Sequence, residues 1–205
     1  METVCLDLEG VLIPEVWVEF AERAGINALE SMTQDVADYD VLMRRRLDIL
    51  AHNGLALDEI HVAIAAMHPL AGAEPFLQRL RKCFQVVILT DSSYKFTAPL
   101  MRRLSWPTIF YHTSVTGSEG ALVDCRLRID DHKPRAVKAI KALNFHVLAA
   151  GDSHNDVGIL FRSSSNVERE FPDFPVVRDY DALFDVFDTA SARLRAVPLR
   201  KGSRI

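Results

Sequence analysis

Val147-Leu148-Ala149-Ala150-Gly151-Asp152-Ser153-His154-Asn155-Asp156 passes within ten residues from an unbroken apolar run to a turn that carries two carboxylates four positions apart. An apolar run of this length closed by glycine reads as a strand buried on both faces of a parallel sheet, and the acids then sit at its carboxyl end. An ordinary turn requires neither the buried strand nor the paired acids, so the segment reads as a metal-binding loop. The same punctuation recurs upstream. Val4, Leu6 and Leu8 lead into Asp7-Leu8-Glu9-Gly10, and Val86-Val87-Ile88-Leu89 lead into Thr90-Asp91. Lys133 stands just before a helical pattern that opens at Pro134. Ligands of open α/β sheets gather outside the carboxyl ends of the strands, so the four segments predict one site.

Between the first and second strands the pattern is helical. Val16, Phe20, Ala21 and Ala24 share one face between Pro14 and Gly25, Asp38 could cap a helix carrying Val41, Leu42, Leu47 and Leu50, and Asp58 a third carrying Ile60, Ile64 and Met67. From Pro69 onward helix and strand alternate, which implies a parallel sheet. The fold expected is α/β, a doubly wound, Rossmann-like parallel sheet core (residues 1–13 and 69–205) with a small helical cap (14–68) inserted after the first strand. Residues 112–130, with Gly117, Gly120 and a period-two stretch at Leu122–Leu127, predict a short antiparallel excursion. The stretch from Phe161 to Pro175 shows no readable period, Asp181–Leu194 predicts a last helix, and Arg195–Ile205 a frayed tail.

With 205 residues, 49% of them hydrophobic, the chain can bury one substantial core. A net charge of -4 excludes a nucleic-acid scaffold that works by neutralising many phosphates, while a small anionic substrate needs only local positive charge. Cys5, Cys83 and Cys125 form no CxxC pair, and reduced thiols in a cytoplasmic protein are the simplest account. No apolar run approaches the roughly 18 residues of a membrane span, and no secretory leader pattern opens the sequence. Oligomeric state stays open, with a homodimer among the expectations.

The acids and the lysine suit phosphoryl transfer, which needs a nucleophile, a cation to neutralise phosphoryl oxygens and a proton donor for the leaving group. Asp7 is the candidate nucleophile, and Glu9 the candidate acid that protonates the leaving oxygen and then activates water. Mg2+, which prefers hard oxygen donors, would be held by Asp7, the Glu9 carbonyl and Asp152, with Asp156 orienting ligands. The Thr90 hydroxyl and the backbone N–H groups of Gly10 and Asp91 would meet phosphoryl oxygens, and Lys133 would balance the carboxylates. Taken singly each residue has a plainer reading: a turn aspartate, a helix cap, a solvated lysine. Their order along the chain favours chemistry. The remaining histidines, His52, His61, His68, His112, His132 and His146, lack ligand spacing and read as structural or exposed, and Ser153 and His154 as loop residues.

This ordered set resembles the four motifs of haloacid dehalogenase-like hydrolases, over roughly residues 1 to 160. Within that superfamily the chain is similar to phosphoserine phosphatases, and it resembles most the bifunctional phosphoserine phosphatase/homoserine phosphotransferase group in its DLEGVL opening, DYDVLM helix start, GDSxND and NVxREFPxFP. The resemblance implies that Glu15 meets the substrate ammonium, that Arg46 grips its carboxylate, that Tyr39 supplies a wall and that Asn155 belongs to the substrate-binding set. It implies phosphoserine as substrate and homoserine as a second phosphate acceptor. Another phosphomonoester, or a non-catalytic role, are the rival readings. The non-catalytic rival draws on one departure: about eight residues are missing after Asp156, where the family has a helix before a GILF strand. Either that helix is absent or Val157–Arg162 itself forms a shortened one.

Overall fold

The computed structural model describes residues 2–30, 39–153 and 158–196, with Tyr39, Arg195 and Ala196 described in backbone only. Seven strands form one sheet in the order β4-β3-β2-β1-β5-β6-β7. β1 (Glu2–Leu6) lies at the centre, parallel to β2 (Gln85–Ser93) on one side and β5 (His146–Gly151) on the other, with Val4 opposite both Val86 and Leu148. The chain therefore winds outward in both directions from β1, and the crevice at its carboxyl end is where such sheets bind ligands. Thr3, Val4, Cys5 and Leu6, which point alternately to the two faces, are all at most 4% exposed, as a strand covered on both faces requires.

Three helices fill the stretch after β1. α1 (Val16–Ala24) buries Val16, Trp17, Phe20 and Ala21 and stops at Gly25, whose left-handed backbone (φ 67°) lets the Ile26 N–H reach back to the Ala21 carbonyl at 3.0 Å. α2 (Tyr39–His52) packs on β4, and α3 (Leu57–Ala66) on α1 and α5. The expected Asp38 cap lies outside the described residues. Asp58 falls in the first turn of α3 instead of capping it; the Ala56 N–H at that end is satisfied by Glu59 Oε2 at 2.8 Å. α4 (Ala73–Cys83), α5 (Tyr94–Met101) and α6 (His132–Ala142) then alternate with strands, and β3 (Thr108–Thr116) turns back into antiparallel β4 (Leu122–Arg126), the excursion expected at residues 112–130.

Two stretches differ from expectation. β2 continues through Thr90 and Asp91 to Ser93, because pairing resumes at Ser93 opposite His112 after an irregularity that follows Leu89. Residues 161–175 contain a helix, α7 (Ser165–Glu170), capped by the Ser164 hydroxyl, before β7 (Val176–Val177) and α8 (Tyr180–Ala196).

The shortened-helix reading of Val157–Arg162 is overturned. β6 (Ile159–Phe161) is a strand whose three side chains are at most 7% exposed, paired with β5 and β7. Parallel neighbours ordinarily need a crossover of a dozen or more residues, yet only residues 152–158 join β5 to β6. The offset explains it: Ile159 pairs with Ala150, so β6 begins level with the end of β5 and the chain has no strand length to retrace. Gly158 makes the return possible, at φ +117° and with the Ala149 carbonyl oxygen 2.5 Å from where a β-carbon would sit.

Candidate active site

Asp7 follows β1 directly. Its N–H continues the ladder to the Ala150 carbonyl at 3.0 Å, and the next residues fold into a tight apolar turn in which Val11, Leu12 and Ile13 are fully buried. This turn holds Asp7 and Glu9 at the mouth of the crevice. Asp7 is 7% exposed; its Oδ1 accepts the Leu8 N–H at 2.7 Å and its Oδ2 accepts from Lys133 Nζ at 2.6 Å. Lys133 is no solvated helix-start lysine. Asp131, in a left-handed conformation (φ 49°), turns the chain into α6 so that His132 and Lys133 are buried in the first turn. Lys133 Nζ also lies 3.3 Å from Asp91 Oδ2. Burial works to raise the Asp91 pKa, but Lys133, His112 and His132 together outweigh it and hold this carboxyl well below the usual range.

Glu9 is fixed by two donors: the Val16 N–H reaches Oε2 at 3.0 Å and the Ser92 hydroxyl donates to Oε1. The Thr90 hydroxyl oxygen accepts the Ser92 N–H at 3.1 Å, which leaves its own proton for another acceptor. Glu15 stands at the N-cap position of α1, yet its side chain makes no cap bond. It faces Glu9 and Asp152 instead. Burial, then the charges of Glu9 and Asp152 and a hydrogen bond with Glu9, push its pKa up to about 9 against the pull of Arg46.

The cleft is lined by Asp7, Glu9, Glu15, Arg46, Lys133 and Asp152 together with Thr90, Asp91 and Ser92. Of three consecutive arginines only Arg46 turns inward: it is 6% exposed and its guanidinium lies 4.6 Å from the centre of the Trp17 ring, while Arg44 and Arg45 are exposed. Gly10 adjoins Asp152. Asn155, Asp156, His154 and the Tyr39 side chain lie outside the described residues. Sequence reading passed over Ser92, which holds Glu9, and Trp17, Met43 and Phe96, which line the cleft, and it took Ser153, which also lines it, for a loop residue. For Ser92 the signal was its place two residues beyond Thr90 at a strand end; the apolar liners gave none that distinguished them from core.

Five carboxylates (Asp7, Glu9, Glu15, Asp91 and Asp152) share the cleft with the cations Lys133 and Arg46. The excess of hard oxygen donors, which adds to burial in pushing Glu15 up, fits a small divalent cation. Among the described residues no helix is long and apolar enough to cross a membrane.

Comparison with known proteins gives the family. Residues 1–162 match the haloacid dehalogenase-like hydrolase family. Phosphoserine phosphatase ThrH of Pseudomonas aeruginosa is 49% identical over 201 residues, covering 94% of this chain and 98% of that protein. A phosphoserine phosphatase of Pseudomonas syringae pv. tomato is 47% identical over 94% of this chain and 85% of its own. Among solved structures, a phospho-aspartyl intermediate analogue of phosphoserine phosphatase superposes with TM-score 0.72 at 17% identity, over 90% of this chain and 98% of that one. A substrate-bound phosphoserine phosphatase complex does so with TM-score 0.72 at 18% identity, over 90% and 97%. At such identities the structural likeness speaks for the fold, whereas the family match and the closely identical relatives speak for descent, and by them this chain belongs to the haloacid dehalogenase-like hydrolases.

Proposed function

We propose that this protein is a cytoplasmic, Mg2+-dependent phosphoserine phosphatase that also passes phosphate to homoserine. The observation that carries the reading is Asp7 itself, a buried carboxylate at the carboxyl end of the central strand, held by the Leu8 N–H and Lys133 and facing a cleft that contains Arg46 and Glu15. The names of the two close relatives support the same substrate.

In this reading an Asp7 carboxylate oxygen attacks phosphorus, the bond to the serine oxygen breaks, and that oxygen leaves with a proton from Glu9. Glu9 then takes a proton from water or from the homoserine hydroxyl as that oxygen attacks the phosphorus on Asp7, which releases phosphate or phosphohomoserine. Asp7, the Glu9 carbonyl, Asp152 and Asp156 would hold Mg2+, which when bound neutralises phosphoryl charge. Thr90 directs its hydroxyl proton, and Gly10 and Asp91 their N–H groups, toward phosphoryl oxygens. Arg46, already oriented by Trp17, meets the substrate carboxylate in bidentate fashion, and Glu15 receives the ammonium, with Tyr39 and Asn155 completing the pocket. Helices from residues 14–68 act as the cap that shuts out bulk water over the core of 1–13 and 69–205.

The test is phosphate release from L-phosphoserine with Mg2+, with and without L-homoserine, beside Asp7→Asn. Release abolished in the variant supports the assignment, and phosphohomoserine formed by the wild type supports transfer. Activity that survives Asp7→Asn, or hydrolysis of other phosphomonoesters with none of phosphoserine, refutes it.

A further inference from the structure

Two buried imidazoles outside the cleft lining converge on Asp91. His112 Nε2 lies 3.6 Å and His132 Nε2 3.9 Å from Asp91 Oδ1, with the two rings 4.5 Å apart. An aspartate and two histidines are the makings of a tetrahedral metal centre, whose ligand atoms stand about 3.3 Å apart at bond lengths of about 2.0–2.1 Å. The hydrogen bonding excludes that role here. The backbone N–H of Arg128 donates to His112 Nδ1 at 3.0 Å, and a backbone amide can only donate. His112 Nδ1 is therefore bare, and the ring proton sits on Nε2, directed at Asp91. A metal at Nε2 would require that proton to be gone and Nδ1 to carry one against the Arg128 N–H, the reverse of the arrangement in which a ligating imidazole donates through its other nitrogen. The cation that Asp91 holds is Lys133, at 3.3 Å.

We infer that His112 is a positioning residue for phosphoryl transfer: its Nε2–H fixes Asp91, Asp91 fixes the Lys133 ammonium, and Lys133 holds the Asp7 carboxylate in place. The sheet irregularity serves this chain, since after it Ser93 pairs with His112 and Asp91 is brought beside the imidazole. His132, 3% exposed and with no hydrogen-bond partner on either ring nitrogen, closes the other side of the same oxygen. A contact thus runs from the Arg128 backbone, beyond the β3–β4 hairpin, to the nucleophile. The inference rests on the assignment of Asp7 above.

Two measurements on the full chain test it, one independent of turnover. Histidine-selective 15N NMR should show His112, assigned by its loss in His112→Gln, with Nδ1 bare and Nε2 protonated, and its signal should shift in Lys133→Met. A protonated Nδ1, no response to Lys133→Met, or one equivalent of Zn2+ that removes the Nε2 proton overturns the proposal. In phosphoserine hydrolysis, His112→Gln, which can still present an N–H to Asp91, should keep kcat within about threefold, and His112→Leu should lower kcat about ten- to a hundredfold at unchanged KM. Unchanged kcat per folded His112→Leu enzyme overturns it, and so does a loss that Gln fails to rescue. If the wild type hydrolyses no phosphoserine, the functional reading falls, and the tautomer and its response to Lys133→Met decide this one.

Discussion

Asp152 is packed against the backbone of Gly10: a β-carbon on Gly10 would fall 2.1 Å from Asp152 Oδ2. The contact joins the loop after β1 to the loop after β5, and it is possible only because Gly10 has no side chain and adopts φ +69° without strain. Gly10→Ala should therefore displace the Asp152 carboxylate. We expect Mg2+ affinity, read by isothermal titration, to fall at least about tenfold, with stability lower by about 1–2 kcal/mol in urea unfolding.

Lys133 lies between the carboxylates of Asp7 and Asp91, with its side chain 5% exposed. Lys133→Met leaves two anions facing each other without their shared cation, which should cost the metal-free protein about 3–5 kcal/mol. Mg2+ should then raise the melting temperature more in the variant than in the wild type, because the ion replaces part of the missing charge. Equal Mg2+-induced shifts in differential scanning calorimetry would count against this account.

Glu15 supplies a stability trend whose sign is opposite to that of a salt-bridged acid. Its pKa rises from 4.5 to about 9 on folding, chiefly through burial and then through Glu9 and Asp152. The folded state thus holds the proton more tightly, and the stability this group contributes, full below 4.5, is lost as pH climbs through about 9. Glu15→Gln preserves the neutral form. Without metal it should match the wild type near pH 4.5 and melt progressively higher as pH approaches 9, by on the order of 2 kcal/mol or about 4–8 °C. The same substitution should raise KM for phosphoserine, since an amide cannot pair with an ammonium.

Ser92 holds one oxygen of Glu9 while the Val16 N–H holds the other. Ser92→Ala frees half of the carboxylate to rotate, and kcat should drop about tenfold with KM nearly unchanged, as expected of a residue that orients a proton donor. Ser92→Thr, which retains the hydroxyl, should recover most of the loss.

Much of this architecture was legible because buried parallel strands are continuous apolar runs. Val4–Leu8, Val86–Leu89 and Val147–Ala150 announced the three central strands, and the acids at their ends announced the site. Short elements were harder to read. β6 has three residues, too few for any period to show, and its identity as a strand comes from the neighbours with which it pairs. The apolar run of β2 ends at Leu89, while the ladder continues through polar residues because backbone groups, not side chains, make it. His112 and His132 are 20 residues apart in sequence and meet only because the middle of β3 and the start of α6 both lie beside Asp91; no spacing rule could pair them. Lys133 was legible as the cation that balances the carboxylates only from the order of the motifs; its burial was not, since the left-handed turn at Asp131 leaves no compositional mark.

The offset of β6 against β5 also bears on how this protein tolerates change in length. Because β6 meets only the last two residues of β5, the join between them works as a separable module. β1, β2, β3 and β4 pair among themselves or with β5 and not with β6, so their register does not depend on the length of this join. The same join is a place for a graft: because β6 already starts level with the end of β5, a longer connection between Asp156 and Gly158 should leave the pairing of the sheet as it is, so that length can change there while the fold stays.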